Sequence, residues 1–391
     1  MFDVKLIDDI DVKNKKVLLR VDFNVPIKND VIQSDLRIFK ALPTIEYLLS
    51  KNAKVIIVSH MGRPKSVDKN LSLKPVAEHL SKLLNRQVHF LDYPFKSEKV
   101  VEASKTNEII MLENIRFEDG ETNNSKDLSK NLASSTDIFI NDAFATLHRK
   151  HSSSYGVAEE IPSAAGYLVF EELQAAKNTL ENPDKPVTLV LGGAKVADKI
   201  KIIETFLEKQ VDKIVIGGGM AFTFIKAING DVGDSIVDDE SVEYCKKLIK
   251  RIYDKNIKLI LPEDVVISKS INSSETRNSN IINIPKGFAG FDIGEKSIKT
   301  FKKEIVNSAT IIWNGPMGVF ENEKFTQGTM QVIEAISNSP GYKYVGGGDS
   351  VSALEKYTKK VNIDHVSTGG GASLELLSGK NLPGVEILKK K

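Results

Sequence analysis

Four stretches in the first 150 residues share one layout, a short apolar run that breaks into polar residues. "KVLLRVDFNVP", "KVIIVSHMGRP", "EIIMLENIRF" and "DIFINDAFATLHRKH" each open on aliphatic residues and close on Asp, Asn, His or Arg. Between them, "LRIFKALPTIEYLLSK" and "LKPVAEHLSKLLN" space their apolar positions as helices do. Strand, helix and strand at these lengths predict βαβ units and a parallel sheet. After residue 150 a second layout recurs: "VTLVLGGAKVADKI", "KIVIGGGMAFTFI", "YKYVGGGDSVSAL" and "HVSTGGGASLEL" each read as strand, glycine cluster and helix start. At 391 residues the chain is too long for one comfortable core. The predicted architecture is α/β, two Rossmann-like three-layer domains with parallel sheets. The stretch "SAAGYLVFEELQAAKNTLENPDKP", entered through Gly166 and closed by Pro183 and Pro186, predicts a helix that joins them.

Composition narrows the function classes. A net charge of +2 gives no bulk reason to bind nucleic acid or an acidic membrane surface. No run of about 18 apolar residues predicts a membrane span, and "MFDVKLIDDI" lacks the apolar core of a secretory signal. Cys245 is the single cysteine, which excludes an intrachain disulfide or a cysteine cluster, and "SVEYCKKLIKRIY" reads as a half-buried helix position. A cytoplasmic protein is expected.

The halves differ in chemistry. Of 26 glycines only Gly62 and Gly120 lie in the first 150 residues, while six of eight arginines (Arg20, Arg37, Arg63, Arg86, Arg116, Arg149) fall there. In a chain that otherwise prefers lysine, arginine suggests that forked, bidentate donors are wanted. Ligands of open α/β sheets sit beyond the carboxyl ends of strands, where Asp22, Asn24, His60, Arg63, Arg116 and Arg149 would gather, with Arg37 at the start of a helix. Each alone reads better as a surface residue or turn cap, and Arg86, His79, His89 and His365 show how ordinary such residues are. Together they predict a site for a small polyanion, with Asp22 and Asn24 available for hydroxyls.

The second half offers backbone. Glycine clusters ahead of helix N-termini let N–H groups approach phosphate, and "IIWNGPMGVFE" adds a loop whose Met317 and Val319 suit a base pocket. No P-loop, complete dinucleotide fingerprint, protein-kinase set, zinc-protease or nucleophile-elbow motif occurs. What remains is a mononucleotide site. Lys195 and Lys199 are expected at i and i+4 on one helix face. Asp349 of "GGGDS" is the expected Mg²⁺ carboxylate, or alternatively a helix cap.

The motifs "RVDFNVP", "SHMGRP", "ENIRF", "NDAF…HRKH", "GGAKVADKI", "GGGMAF", "WNGPMGVFE", "GGGDS" and "TGGGASLELL", in order from residue 20 to 377, resemble the phosphoglycerate kinase family. The resemblance implies reversible phosphoryl transfer from 1,3-bisphosphoglycerate to ADP, giving 3-phosphoglycerate and ATP with Mg²⁺. It implies a glycerate domain over residues 1–165, to which a segment from about 376 to 391 returns, a hinge over 166–185 and a Mg-nucleotide domain over 186–375. Carried over by motif, substrate contacts fall on Asp22, Phe23, Asn24, Arg37, His60, Met61, Gly62, Arg63, Arg116 and Arg149. Nucleotide contacts fall on Lys199, Gly290, Glu321, Gly347, Gly348, Asp349 and Ser350, with the metal on Asp349. Arg37, Lys195 and Lys199 are implied at the transferring phosphoryl group, and Glu172 and His365 match a hinge pair. Met61 replaces the usual leucine, and Ala145 and Leu147 replace smaller residues, with altered packing under Arg149 expected. A monomer is expected. Rival readings are another phosphotransferase acting on carboxylates, a closing anion-binding protein and a nicotinamide dehydrogenase, the last disfavoured by the incomplete fingerprint.

Overall fold

The computed structural model describes residues 3–29, 31–209, 211–357 and 359–390. Contacts divide the chain into one compact unit of Met1–Gln174 with Asn381–Lys391 and a second of Ala175–Lys380. The division falls inside the helix Tyr167–Leu180.

In the first unit, six strands form one parallel sheet: β1 (Lys16–Arg20), β2 (Lys54–Val58), β3 (Val88–Leu91), β4 (Ile109–Leu112), β5 (Ile138–Asn141) and β6 (Ser163–Ala165), in the order β3-β4-β2-β1-β5-β6. The alternation of side chains along a strand divides its core in two. Val17, Leu19, Val55, Ile57, Ile109 and Met111 pack on one face. Leu18, Ile56, Val58, Ile110 and Leu112 pack on the other. Helices α1 (Leu36–Ser50) and α2 (Lys74–Leu84) supply Ile38, Ile45, Val76 and Leu80 to the first of these layers.

The second unit repeats the plan with β7 (Val187–Leu191), β8 (Lys213–Ile216), β9 (Lys258–Ile260), β10 (Thr310–Asn314), β11 (Tyr342–Gly346) and β12 (His365–Val366), ordered β9-β8-β7-β10-β11-β12. Leu189, Leu191, Ile214 and Ile312 line one core, and Val190, Val215, Ile311 and Trp313 the other. A separate three-stranded antiparallel sheet is built from Asp264–Ser268, Arg277–Asn280 and Ala289–Ile293.

The two orders explain how sequence-distant residues gather. In the first sheet β4, β2, β1 and β5 are consecutive neighbours, so the four polar tips lie side by side at steps of about 4.8 Å. In the second, β8, β7, β10, β11 and β12 are consecutive, which aligns the glycine clusters in the same way.

The segment that returns to the first unit begins at Asn381. The reason is packing, because Leu377 is buried in the second unit's core. The returning segment is tied down where Gly384 N–H donates to the Leu147 carbonyl at 2.9 Å. Leu147 is fully buried there, so the larger residue at this position is absorbed against the C-terminal segment. A Cβ on Gly384 would lie 2.6 Å from Leu147 Cδ2 and 3.0 Å from its Cα. Gly384→Ala is therefore expected to cost about 1–3 kcal/mol by overpacking. Urea unfolding measures it, and a loss under about 0.5 kcal/mol would mean that the contact relaxes freely.

Candidate active site

At the tips of β1 and β2 the loops are locked to each other before any ligand arrives. Arg37, in the first turn of α1, donates from Nη1 to Asp22 Oδ2 at 2.6 Å and to the Asn24 carbonyl at 3.3 Å. Asn24 Oδ1 accepts from Gly62 N–H at 2.9 Å. Gly62 sits at φ +60°, where a Cβ would press within 2.9 Å of Leu71, so glycine meets both a steric and a conformational demand.

Asn114, after β4, pins the same loop. Its Oδ1 accepts from Met61 and Arg116 N–H, both at 3.1 Å, while Nδ2 donates to the carbonyls of Met61 at 2.8 Å and Leu71 at 3.0 Å. Phe23 and Met61 turn their side chains into the core, and their N–H groups donate to Ser59 Oγ at 2.9 Å and Asn114 Oδ1 at 3.1 Å. Their place in the motif reflects packing.

The electrostatics are those of an anion site. Arg116 donates from Nη1 to the Gly62 carbonyl, but its Nε is buried with no hydrogen-bond partner. Burial, aided by the charges of Arg20, Arg149 and Arg63, lowers its pKa to about 10. Arg63 is exposed and Arg149 half-buried. His60 is buried among these charges. Burial and the charges of Arg20, Arg116 and Arg37 push its pKa well below the ordinary imidazole value, so it is neutral. His151 is likewise lowered to about 4, mainly by burial and then by Arg116 and Arg20.

In the second unit a cavity of about 500 Å³ opens beside the aligned glycine turns, bordered by Gly218, Gly219, Gly290, Val319, Glu321 and Asp349. Met317 also borders it, with its side chain fully buried. Three helices of this unit begin at glycine turns: Met220–Ala227, Gly348–Lys356 and Gly371–Leu377. The fourth cluster behaves otherwise. The helix after "GGAKVADK" starts only at Ile200, with Lys199 at its cap. Lys195 and Lys199 therefore do not share a helix face, because residues 194–199 run through bends and turns first. Lys195 is exposed, while Lys199 reaches inward and donates to Asn314 Oδ1. Burial lowers the Lys199 pKa, opposed by Asp198 and Asp349.

Asn314 Nδ2 is buried without a partner. Gly347, at φ +92°, opens the helix that carries Asp349, and a Cβ there would come within 2.9 Å of that Nδ2. Ser350 is fully buried and its Oγ accepts from Gly315 N–H at 2.7 Å. Its hydroxyl braces the neighbouring loop. Asp349 is exposed in the first helical turn. No group of three metal-ligating side chains occurs among the described residues.

Sequence reasoning passed over Asn114, Asn314 and Glu121, and counted Arg20 without a role. Asn314 ends β10 and Asn114 follows β4, so the strand-end rule that selected the arginines also covers them.

The sequence profile described as "Phosphoglycerate kinase" matches residues 7–380. Curated relatives with that name include one from Finegoldia magna, 47% identical and covering 99% of both chains. Another, from Clostridium tetani, is 46% identical over 100% of this chain and 99% of its own. Among solved structures, phosphoglycerate kinase from Coxiella burnetii matches with a TM-score of 0.87 at 38% identity, covering 98% of each chain. That from Pyrococcus horikoshii matches at 0.86 and 32%, covering 99% and 98%.

The imidazoles give a pH test. A folded-state pKa below the unfolded value near 6.5 means that the unfolded chain binds protons first. His151 therefore withdraws stability as pH falls from about 6.5 towards about 4. By ¹⁵N NMR, His60 and His151 are expected to titrate well below 6.5, and inorganic phosphate should raise both midpoints by favouring imidazolium. Midpoints near 6.5 without phosphate would contradict the buried, arginine-flanked environment.

Proposed function

The chain belongs to the phosphoglycerate kinase family and is a glycolytic phosphotransferase of 3-phosphoglycerate and ADP/ATP, and we propose that it works as follows. The first unit, residues 1–165 with the C-terminal return, binds the glycerate. The second, over 186–375, binds the nucleotide, and the 166–185 segment acts as a hinge. Asp22 and Asn24 receive the hydroxyl and carboxyl end, with Phe23, Met61 and Gly62 shaping the loops around them. His60 donates as a neutral group, and Arg63, Arg116 and Arg149 hold the substrate phosphate. The observation that carries this assignment is the buried, unpartnered Nε of Arg116 among like charges, a donor that an anion would satisfy.

On the nucleotide side, Gly290 and Glu321 border the nucleoside and Gly347 to Ser350 offer backbone to the phosphates. Asp349 holds Mg²⁺, whose chemistry when bound is to neutralise phosphate oxygens. Lys199 and Lys195 reach towards the phosphates, and the orphaned Asn314 Nδ2 is a further donor. Neither direction of reaction needs a general base, because the attacking ADP phosphate or carboxylate is already ionised. Transfer is in line, and the work is alignment and charge neutralisation on the moving phosphoryl group, by Arg37 from one unit and Lys195 from the other. Ligands held on separate units require a closing motion, which also excludes water. No helix among the described residues is long and apolar enough to cross a membrane. We place the protein in the cytoplasm as a monomer.

Initial-rate ATP formation from 1,3-bisphosphoglycerate and MgADP tests this reading. Fast turnover that collapses in Asp349→Ala is the expected result, and no turnover by folded wild type overturns the substrate. Arg37→Ala and Lys195→Ala are each expected to lower kcat about 100- to 1,000-fold, as removal of a preorganised donor does. A loss below about tenfold, in the same frame, removes that residue from the transfer step.

A further inference from the structure

Behind the glycerate site lies a run of hydrogen bonds that none of the roles above uses. Glu121 is 1% exposed and Arg20 is fully buried. Glu121 accepts from Ser153 twice, from its N–H at 2.9 Å and from its hydroxyl at 2.7 Å. Ser153 Oγ in turn accepts from Arg20 Nε at 2.9 Å. Arg20 then contacts His60 Nδ1 from Nη2 at 3.2 Å and donates from Nη1 to the Val21 carbonyl.

The direction of each bond follows from chemistry. A buried carboxylate orders a hydroxyl whose one proton it takes, and the hydroxyl's lone pair is left for the guanidinium. Arginine has donors only, so His60 Nδ1 must accept and the ring proton must sit on Nε2. Asp22 Oδ1, 3.7 Å from His60 Nδ1, is too distant for a hydrogen bond, and Asp22 Oδ2 is committed to Arg37. Ser153 belongs to a π-helical turn, Ser152–Gly156, an arrangement that recurs at functional sites. Glu121 is also the leading charge that keeps Arg20 protonated against burial.

We propose that Glu121 and Ser153 are positioning residues of the glycerate site: Glu121, through the Ser153 hydroxyl, holds Arg20, and Arg20 fixes His60 as the Nε2–H tautomer that donates to the substrate anion. This rests on the reading of the site as the one for 3-phosphoglycerate. Neither residue touches the substrate. Both act through a guanidinium that water cannot reach, where one lost hydrogen bond alters the whole run.

The test combines ¹⁵N NMR of the histidine rings with kinetics for wild type, Ser153→Ala and Glu121→Gln. The chain has six histidines, so His60→Gln assigns the signal. Wild type is expected to show His60 as the Nε2–H form alone at neutral pH, and both variants a mixture of tautomers. The KM for 3-phosphoglycerate should rise about five- to tenfold, the scale of one hydrogen bond, with the KM for MgATP unchanged. A pure Nε2–H tautomer in both folded variants with unchanged KM for 3-phosphoglycerate overturns the proposal, even if both melt earlier. Should Glu121→Gln not fold, Ser153→Ala, which keeps the carboxylate, decides alone. Should wild type fail to turn over 3-phosphoglycerate, the substrate reading falls while the tautomer measurement still judges the hydrogen-bond run.

Discussion

A parallel strand covered on both faces carries mostly apolar side chains along its length, so most of its chemistry is displaced to its ends. Both units obey this constraint. β7 and β10 are buried at every residue, and β1 at all but its first. Polar function begins where each strand stops. Because neighbouring strands run in the same direction, their carboxyl ends come out at one edge and their loops meet there. The order β4-β2-β1-β5 places Arg116, His60, Asp22 and Arg149 at one edge, though more than 120 residues separate the first of them from the last.

The two edges bind anions by opposite physical means. At the first, guanidinium groups are gathered in a partly buried place, and burial, aided by their mutual repulsion, lowers the pKa of Arg116 and of two imidazoles. A bound anion relieves what the empty cluster resists. At the second, the donors are backbone N–H groups with fixed partial charge, and the condition for access is the absence of side chains. Gly347 illustrates it, since a Cβ there would strike Asn314. Side-chain donors can move and titrate, while backbone donors stay where the helix start puts them. One edge thus offers movable, charged donors and the other fixed backbone donors.

Much of this was legible from sequence because strand-end polarity and glycine clusters are local patterns. The alternation of apolar residues with helical segments predicted both sheets, and arginine placement marked the first edge. Local pattern misled where a residue's environment comes from elsewhere. Lys195 and Lys199 have helical spacing, but turns occupy residues 194–199 before the helix begins. The protonation state of His60 was beyond reach, since it is set by Arg20, Arg116 and Arg37 from other segments.

The sequence by itself determined the class of each unit, the edge at which chemistry collects and the kind of ligand each edge attracts. Those follow from residue type and period, which are properties of the chain read in order. Only the tertiary structure decided which donors are free. Arg116 keeps an unpartnered Nε while Arg37 spends its Nη1 on Asp22 and Asn24. It also decided that Glu121, Ser153 and Arg20 form one run ending at His60. Hydrogen-bond partners are chosen by position in space, and burial sets the free energy of each charge. Neither quantity exists until the strands have found their neighbours.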